Sequence, residues 1–333
     1  MRKSFVVSAL SAAAIAFTAP ALADWKPTKP VRIIVPWSAG GSTDQVVRVL
    51  AGEMETALKQ KVVVVNSPGG AGAVGTKSAL DAPKDGYTWT AGAAKDLGTY
   101  IVTGSLKTKI QDWHLYLAVA NATVMSANPK GKFKTFNDVL AAMKNKPASV
   151  TVATGGLNSA SHSAIEAIKQ TTGGNYKNIT YDGGNPAVLS TVAGETALTT
   201  QLITEQYEMI RAKRLRPLAV MAQEPLMVKG YGMIPPVTKF VPKMPVGAIY
   251  FGIWAPKGIP ADVIATMNKV WGNAIKNSGA LAKYADRKGV VVNVSWGEAA
   301  QKKVWKSVQV NAWLLQKGGK AAVSPDKVGI PKP

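Results

Sequence analysis

The chain has 333 residues, of which 47% are hydrophobic and 18% are charged, so it is long enough for two globular domains. It contains no cysteine and only two histidines, which excludes disulfides, thiolate chemistry and an ordinary histidine-rich zinc site, so we expect neither a metal nor a cofactor. The net charge of +21 predicts attraction to anions, but the lysines are scattered and form no arginine-rich arm, so we expect no nucleic-acid partner.

Residues 1–23 have the pattern of a secretory signal peptide. Arg2 and Lys3 precede an apolar run from Phe5 to Phe17, and Ala21-Leu22-Ala23 forms a cleavage site before Asp24. No other stretch approaches the roughly 18 to 20 uninterrupted apolar residues of a membrane span. We therefore expect a protein that is exported to a bacterial periplasm and is cleaved after Ala23.

The next segment joins a strand to a helix through a glycine turn. Val31 to Val35 is rich in β-formers, and Gly40 to Asp44 supplies turn residues and N-cap candidates for a helix that extends to about Lys59. The N–H groups at such a helix start favour an anion, because the helix dipole adds a partial positive charge there. We interpret Asp44 as a partner of that dipole rather than as a catalytic carboxylate.

The first part of the chain has the order β-α-β-α-β, which predicts an α/β fold. Val62 to Val65 predicts a strand buried on both faces, as in a parallel sheet, and Tyr87 to Thr90 predicts a third strand. Gly70 to Gly75 matches the dinucleotide-binding pattern G-x-G-x-x-G, but no acidic residue ends the strand that follows. We interpret these glycines as turn and close-packing residues.

Two later segments repeat the order of strand, glycine turn and helix. A strand at Val150 to Ala153 leads into the loop Thr154 to His162, and a strand at Ile179 to Tyr181 leads into Asp182 to Pro186. In the second loop, Asn185 is the predicted N-cap. Because three such loops occupy equivalent places, they are a stronger indication of an anion site than one glycine turn.

Other elements are predicted from capping and periodicity. Thr135, with Asp138 three residues later, predicts the start of a helix that ends near Lys144. The segment from Pro225 to Pro245 is proline-rich and predicted to be irregular, and the last helix is predicted from about Gly297 to Leu315.

Ser159 and His162 lie three residues apart, which raises the alternative of a secreted hydrolase that uses them as nucleophile and base. The chain lacks a convincing G-x-S-x-G elbow, and no Asp or Glu is evidently placed to orient His162. We therefore favour a protein that is not an enzyme, in which His162 either packs under its loop or contacts a ligand.

Taken together, these segments resemble the extracytoplasmic substrate-binding receptors of tripartite tricarboxylate transporters, also called the Bug family. The matching segments cover nearly the whole mature chain: Pro30 to Trp37, Gly40 to Asp44, Arg48, Val65 to Gly72, Asp85 to Thr88, Thr154-Gly155 with Ser159 and His162, Tyr181 to Ala187, Leu215 to Val220, and Gly252 to Pro260. The resemblance implies a two-lobed, clamshell (type II) periplasmic binding protein with a ligand cleft between the lobes. We expect residues 24–124 and 246–333 to form lobe 1, and residues 125–245 to form lobe 2.

The resemblance implies a monomeric receptor that captures a small organic carboxylate and delivers it to a membrane permease. A ligand sensor that docks on a signalling partner is an open alternative, because both would use the same closed cleft. The expected ligand-binding residues of lobe 1 are Trp37, Ser38, Gly40, Gly41, Ser42, Thr43, Asp44 and Lys95. Those of lobe 2 are Thr154, Gly155, Asn158, Ser159, His162, Tyr181, Gly183, Gly184, Asn185 and Pro186. Lys95 stands where the family usually has a serine- or threonine-bearing turn, so we expect it to enter the pocket.

Overall fold

The computed structural model describes residues 24–333, and the predicted signal peptide with its cleavage site lies outside the described residues. The strands are β1 (Val31–Val35), β2 (Val62–Asn66), β3 (Thr88–Ala93), β4 (Trp113–Asn121), β5 (Val124–Ala127), β6 (Thr151–Thr154), β7 (Lys177–Thr180), β8 (Leu198–Thr199), β9 (Arg216–Val220), β10 (Leu226–Val228), β11 (Gly232–Ile234), β12 (Ile249–Pro256) and β13 (Val291–Trp296). The α-helices are α1 (Ser42–Leu58), α2 (Ala73–Leu80), α3 (Asp96–Thr103), α4 (Phe136–Asn145), α5 (Ala160–Thr172), α6 (Gly184–Ala193), α7 (Ile203–Arg211), α8 (Ala261–Val270), α9 (Gly279–Lys288) and α10 (Gly297–Lys317).

Two mixed sheets organise these elements, and the predicted α/β class is confirmed. The first sheet has the order β13-β4-β12-β3-β1-β2, in which β1 pairs in parallel with β2 and β3, whereas β12 is antiparallel to β3 and β4. The second sheet has the order β7-β6-β8-β5-β9. Among residues 24–333, no helix is both long enough and apolar enough to cross a membrane.

The chain crosses between the two sheets twice. It leaves the first sheet at Asn121, enters the second at Val124, and returns to the first with β12. One apolar core cluster extends across this crossing, because it contains Trp271 from the side of the first sheet together with Ile203 and Tyr207 of α7. Because this core cluster spans both sheets, it marks no boundary between lobes, and the lobe boundaries at 124/125 and 245/246 stay a prediction.

Two predicted helix starts, those of α4 and α10, are confirmed, because they depend on residues that are close together in the sequence. Thr135 caps α4: its hydroxyl accepts a hydrogen bond from the Asp138 main-chain N–H at 3.2 Å, and the Asp138 carboxylate accepts one from the Thr135 N–H at 2.8 Å. The last helix begins at Gly297 as predicted and ends at Lys317.

Two sequence predictions are wrong: the burial of β2 on both faces and the absence of strands between Pro225 and Pro245. β2 lies at an edge of the first sheet, so Val63 and Val65 are 44% and 41% exposed rather than buried on both faces. The segment from Pro225 to Pro245 is not wholly irregular, because β10 and β11 form an antiparallel hairpin within it.

The glycines of the G-x-G-x-x-G pattern serve packing and a tight turn, as predicted. Gly72 has a φ of 91°, which a residue with a side chain adopts at a cost, and it precedes α2. A Cβ on Gly75 would lie 2.7 Å from the main-chain oxygen of Ser67 and 2.8 Å from Cα of Pro36. α2 therefore packs directly against the loops that follow β1 and β2.

We expect Gly75→Ala to lower the free energy of unfolding by about 1 to 3 kcal/mol, because the methyl group meets main-chain atoms that cannot move independently. The control is Gly52→Ala in α1, where a Cβ meets nothing within 4 Å. That change should raise the free energy of unfolding by roughly 0.5 to 1 kcal/mol through helix propensity. Urea unfolding of the two variants checks both values, and equal stability of the two would contradict the close approach of α2.

Candidate functional site

The loop between β1 and α1 is held by the carboxylate of Asp44. Its Oδ2 accepts a hydrogen bond from the Gly40 N–H at 3.0 Å, and its Oδ1 lies 2.9 Å from Nη2 of Arg48. Burial opposes ionisation, but the hydrogen bonds from Arg48, Gly40 and Asn66 outweigh it and lower the pKa of Asp44. Asp44 is thus an ionised structural group at a helix start, as interpreted from the sequence.

The loop before α5 is closed by Ser159 rather than by a pair of catalytic groups. The Ser159 hydroxyl donates to the main-chain oxygen of Gly156 at 2.6 Å and accepts a hydrogen bond from the His162 main-chain N–H at 3.2 Å. The imidazole of His162 instead borders a small space with Glu166 and Lys320, and burial lowers its pKa. The His162 side chain thus lies between α5 and α10, and only its main-chain N–H is hydrogen-bonded to the Ser159 hydroxyl.

The loop before α6 differs from its prediction. Gly183, with a φ of 134°, is the N-cap, so the assignment of Asn185 as N-cap is wrong. The Asn185 amide instead faces the loop of Gly40, where a Cβ would lie 3.2 Å from its Nδ2. A Cβ on Gly184 would overlap the carboxylate of Glu205, so a glycine is required where this carboxylate meets the start of α6.

The starts of α1, α3, α5, α6 and α7 border one cavity of about 30 Å³, which has room for roughly one or two water molecules. It contains five of the residues expected from the sequence, namely Trp37, Thr43, Gly155, Ser159 and Gly184. It also contains residues that the sequence analysis missed, namely Ala93, Asp96, Ala160, Ser161, Gln201, Leu202, Glu205 and Phe251. This cavity is smaller than an organic acid, and direct hydrogen bonds join the two sides of the cleft, so the described conformation is a closed one.

Several expected residues surround the cavity or lie away from it. Gly40, Gly41, Ser42 and Asp44 build the start of α1, whereas Ser38, Gly183 and Asn185 form contacts between the two sides of the cleft. The remaining expected residues outside the cavity lining are Lys95, Thr154, Asn158, His162, Tyr181 and Pro186. The hydroxyl of Thr154, for example, donates to Oδ1 of Asn178 at 2.8 Å, within the second sheet.

Lys95 connects the two sides of the cleft instead of entering the cavity. Its ammonium is only 2% exposed, and it donates to Oδ1 of Asp96 at 2.8 Å and to the main-chain oxygen of Asn158 at 2.7 Å. A second connection runs from the Ser38 hydroxyl to the main-chain oxygen of Asp182. The Asn158 amide also donates to the hydroxyls of Thr103 at 3.3 Å and Ser105 at 3.2 Å, so charged and neutral hydrogen bonds together hold the two sides of the cleft in contact.

The sequence model of the tripartite tricarboxylate transporter family receptor matches residues 46–313. The chain belongs to this receptor family. The protein BugT of Bordetella pertussis is 28% identical to it over 289 residues, which are 86% of this chain and 88% of BugT.

Solved structures of periplasmic binding proteins superimpose on the receptor and identify its fold. The periplasmic binding protein BugD superimposes with a TM-score of 0.81 at 25% identity, over 89% of this chain and 99% of BugD. Rpa4515 of R. palustris, solved with adipate, superimposes with a TM-score of 0.77 at 22% identity, over 87% of this chain and 99% of Rpa4515. The receptor thus has the two-lobed fold of periplasmic binding proteins, as the resemblance implied.

Glu205 is one of the two acidic cavity residues, with Asp96, that the sequence analysis missed. Its Oε1 accepts a hydrogen bond from the Ser42 N–H at 2.9 Å, and its Oε2 accepts one from the Leu202 N–H at 3.3 Å. Burial raises the pKa of Glu205 to about 7, although both N–H groups favour the ionised form. An acidic residue in a first helical turn could have suggested the capping of α7, but Ser42 lies 163 positions away in the sequence.

A second, larger cavity of about 250 Å³ shares Ala160 with the first. It lies between α5, the segment 244–250 and α10, and most of its lining is apolar, with Lys303 and Lys306 among its polar residues. Of these two cavities in residues 24–333, the smaller one is bordered by five helix starts and the larger one by the start of α5, so the smaller one is the candidate site.

We expect Glu205 to make the stability of the receptor fall as the pH rises. Its folded pKa of about 7 lies above the ordinary value of 4.5, so the folded state binds a proton that the unfolded state has released. The stabilising contribution is complete below about pH 4.5 and is lost as the pH rises to about 7. Glu205→Gln should therefore gain about 2 kcal/mol of unfolding free energy over wild type between about pH 5 and pH 8.

Urea unfolding at the two pH values measures this difference. Glu208→Gln is the matched control, because it changes an exposed side chain of the same helix whose ion pair with Arg211 contributes little. A difference between Glu205→Gln and wild type that stays constant with pH would show that Glu205 is already ionised at low pH.

Proposed function

We propose that this receptor captures a small organic carboxylate in the cleft between its lobes and delivers it to the membrane permease of a tripartite transporter. The observation that carries the proposal is the meeting of five helix starts at one cavity. Each helix start brings a partial positive charge, and the N–H groups other than those of Ser42 and Leu202, which Glu205 occupies, are suited to a carboxylate.

Side chains of the cavity add neutral hydrogen-bonding groups. Thr43, Ser159 and Ser161 bring hydroxyls to its lining, and Gln201 brings an amide. No arginine or free lysine lines the cavity among residues 24–333, so a carboxylate would be bound by helix starts and neutral donors instead of by an ion pair. Such a site selects the shape of an acid and the positions of its oxygen atoms.

The closed conformation supports capture followed by enclosure. Hydrogen bonds from Ser38, Lys95 and Asn158 join the lobes across the cleft. Because each such bond contributes only about 0.5 to 3 kcal/mol, the lobes can part to admit a ligand. A ligand that contacts both lobes then favours the closed form by its difference in affinity for the two forms.

Family membership supports the remaining parts of the proposal. A receptor of a tripartite transporter family acts outside the cytoplasm, so we infer export of this chain with the signal peptide at residues 1–23 removed. The hydrogen bonds of Ser159 favour binding over hydrolysis, because its contact with His162 involves the main chain and not the imidazole.

We expect carboxylic acids of the right shape to stabilise the purified receptor against heat. A ligand at about 100 times its dissociation constant adds roughly 2.7 kcal/mol to the free energy of unfolding, which corresponds to several degrees in melting temperature. Thermal unfolding against a panel of mono-, di- and tricarboxylates and amino acids measures this effect. No stabilisation by any of them would contradict the proposed function.

Calorimetric titration of Thr43→Val then tests the location of the site. Valine keeps the shape of this buried residue and removes its hydroxyl, so affinity for the acid found in the panel should fall at least tenfold. Thr56→Val is the control, because Thr56 lies on the same helix and its hydroxyl donates to the main-chain oxygen of Gly52. Equal affinity in the two variants would show that the ligand does not bind at the Thr43 hydroxyl at the start of α1.

A further inference from the structure

The larger cavity lies where the chain crosses between the two sheets. It has a volume of about 250 Å³, and its lining includes Thr123 from the first crossing and residues 244–250 from the second. α5 and α10 contribute most of the other lining residues. α5 packs with the second sheet and α10 with the first, because Ile165 shares a core cluster with residues of β6 and Val304 shares one with residues of β4. The walls of this cavity therefore come from both sides of the cleft and from both crossings.

The inner wall of the cavity is apolar. Ala164, Ala167, Met221 and Met244 line it, and each of them is between 4% and 8% exposed. Apolar cavities of about 150 Å³ already hold a benzene ring, so this one has room for a substituted ring or a short alkyl chain. Water forms few hydrogen bonds against such side chains, whereas a hydrocarbon group gains free energy by leaving water. The inner wall thus favours an apolar group.

The outer edge of the cavity is positively charged. Lys303 and Lys306 line it from exposed positions on α10, and no Asp or Glu of residues 24–333 lines the cavity. Within the described chain neither lysine forms an ion pair, whereas the neighbouring Lys302 pairs with Glu298 at 2.7 Å. Nζ of Lys303 donates instead to Oδ1 of the neutral Asn293 at 2.7 Å. The two ammonium groups therefore favour an anion at this edge.

This cavity is distinct from the candidate site at the helix starts. The two linings share only Ala160, and the larger cavity contains neither Thr43 nor Glu205. An apolar inner wall with a cationic edge fits a molecule that has one hydrocarbon end and one anionic end. A dicarboxylate would place its second carboxylate among apolar side chains, where an unpaired charge is strongly destabilising.

We propose that the larger cavity is a second ligand site, which binds a small amphiphilic monoanion such as an alkyl or aryl monocarboxylate. The hydrocarbon part packs against α5 and Met244, and the carboxylate lies at Lys303 and Lys306. This inference goes beyond the proposed function and does not depend on it, because it concerns another cavity and another class of ligand.

Isothermal titration with a series of amphiphiles tests both ends of the site. Octanoate should bind the purified receptor at least tenfold more tightly than octylammonium, which has the same chain and the opposite charge. Along the series butyrate, hexanoate and octanoate, each added methylene should raise the affinity roughly two- to fourfold, because it removes more hydrocarbon from water.

Variants of the two cavities locate the binding. Ala164→Leu fills the inner wall of the larger cavity, so it should lower the affinity for octanoate at least tenfold. Thr43→Val changes the smaller cavity and should leave this affinity as it is in wild type. The double variant Lys303→Gln with Lys306→Gln should lower the affinity for octanoate about threefold or more, and should leave the affinity for the uncharged octanol unchanged. Lys302→Gln is the control for the loss of charge and should change neither affinity.

Each result decides between the two cavities. Loss of octanoate binding in Thr43→Val, with retention in Ala164→Leu, would place octanoate in the smaller cavity and overturn the inference, while it would support the proposed function. Competition between octanoate and an acid from the thermal panel that requires Thr43 would show a single shared site, and simultaneous binding supports two sites.

The chemical class of the ligand is tested separately from its location. Equal binding of octanoate and octylammonium, or an unchanged affinity for octanoate in the double lysine variant, would contradict the assignment of an anion. If octanoate does not bind wild type, the inference fails, and the thermal panel still decides whether the proposed function stands. Should Ala164→Leu fail to fold, the double variant, which changes only exposed side chains, still tests the larger cavity.

Discussion

Helix starts that meet at the base of the cleft require an acceptor for their buried N–H groups, and a single side chain provides it. Glu205 bonds the N–H groups of Ser42 and Leu202, and its carboxylate fills the space above Gly184. Asn121, at the end of β4, adds a hydrogen bond of 2.9 Å to the Ser42 hydroxyl. Because α1, α6 and α7 are joined in this way, the base of the cleft is assembled before any ligand enters.

This arrangement separates the rigid part of the site from the part that must move. The contacts around Glu205 lie beside the strands that connect the two sheets, whereas the contacts of Ser38 with Asp182 and of Lys95 with Asn158 lie across the cleft. The second group, which also includes the hydrogen bonds from the Asn158 amide to Thr103 and Ser105, consists of individual hydrogen bonds that opening exchanges for bonds to water. Entry of a ligand therefore need not disturb the helix starts that would receive it.

The sequence predicted where the loops after β1, β6 and β7 lie, because glycines and hydroxyl residues after β-formers are local signals, but it placed the N-cap of α6 at Asn185 instead of Gly183. Thr135 and Asp138 are recognisable for the same reason. The exposure of Val63 was not predictable, since it depends on β2 being an edge strand, which is a property of the whole sheet. Glu205 was missed because its partner Ser42 lies 163 positions away in the sequence, and no spacing pattern indicates such a contact.

The net charge of +21 illustrates the difference between attraction and recognition. It can steer anions toward the protein over a distance of about one Debye length. At the cavity itself, however, Asp96 neutralises the nearby Lys95, and Glu205 adds an acidic group. The excess of positive charge therefore belongs to the surface and not to the cavity lining, where a pKa of about 7 leaves the Glu205 carboxyl partly protonated at neutral pH. A ligand that is drawn in as an acid would then be recognised at the end of its path by neutral hydrogen-bonding groups and helix starts, so the surface charge would affect the rate of its arrival and the cavity would determine which acid is retained.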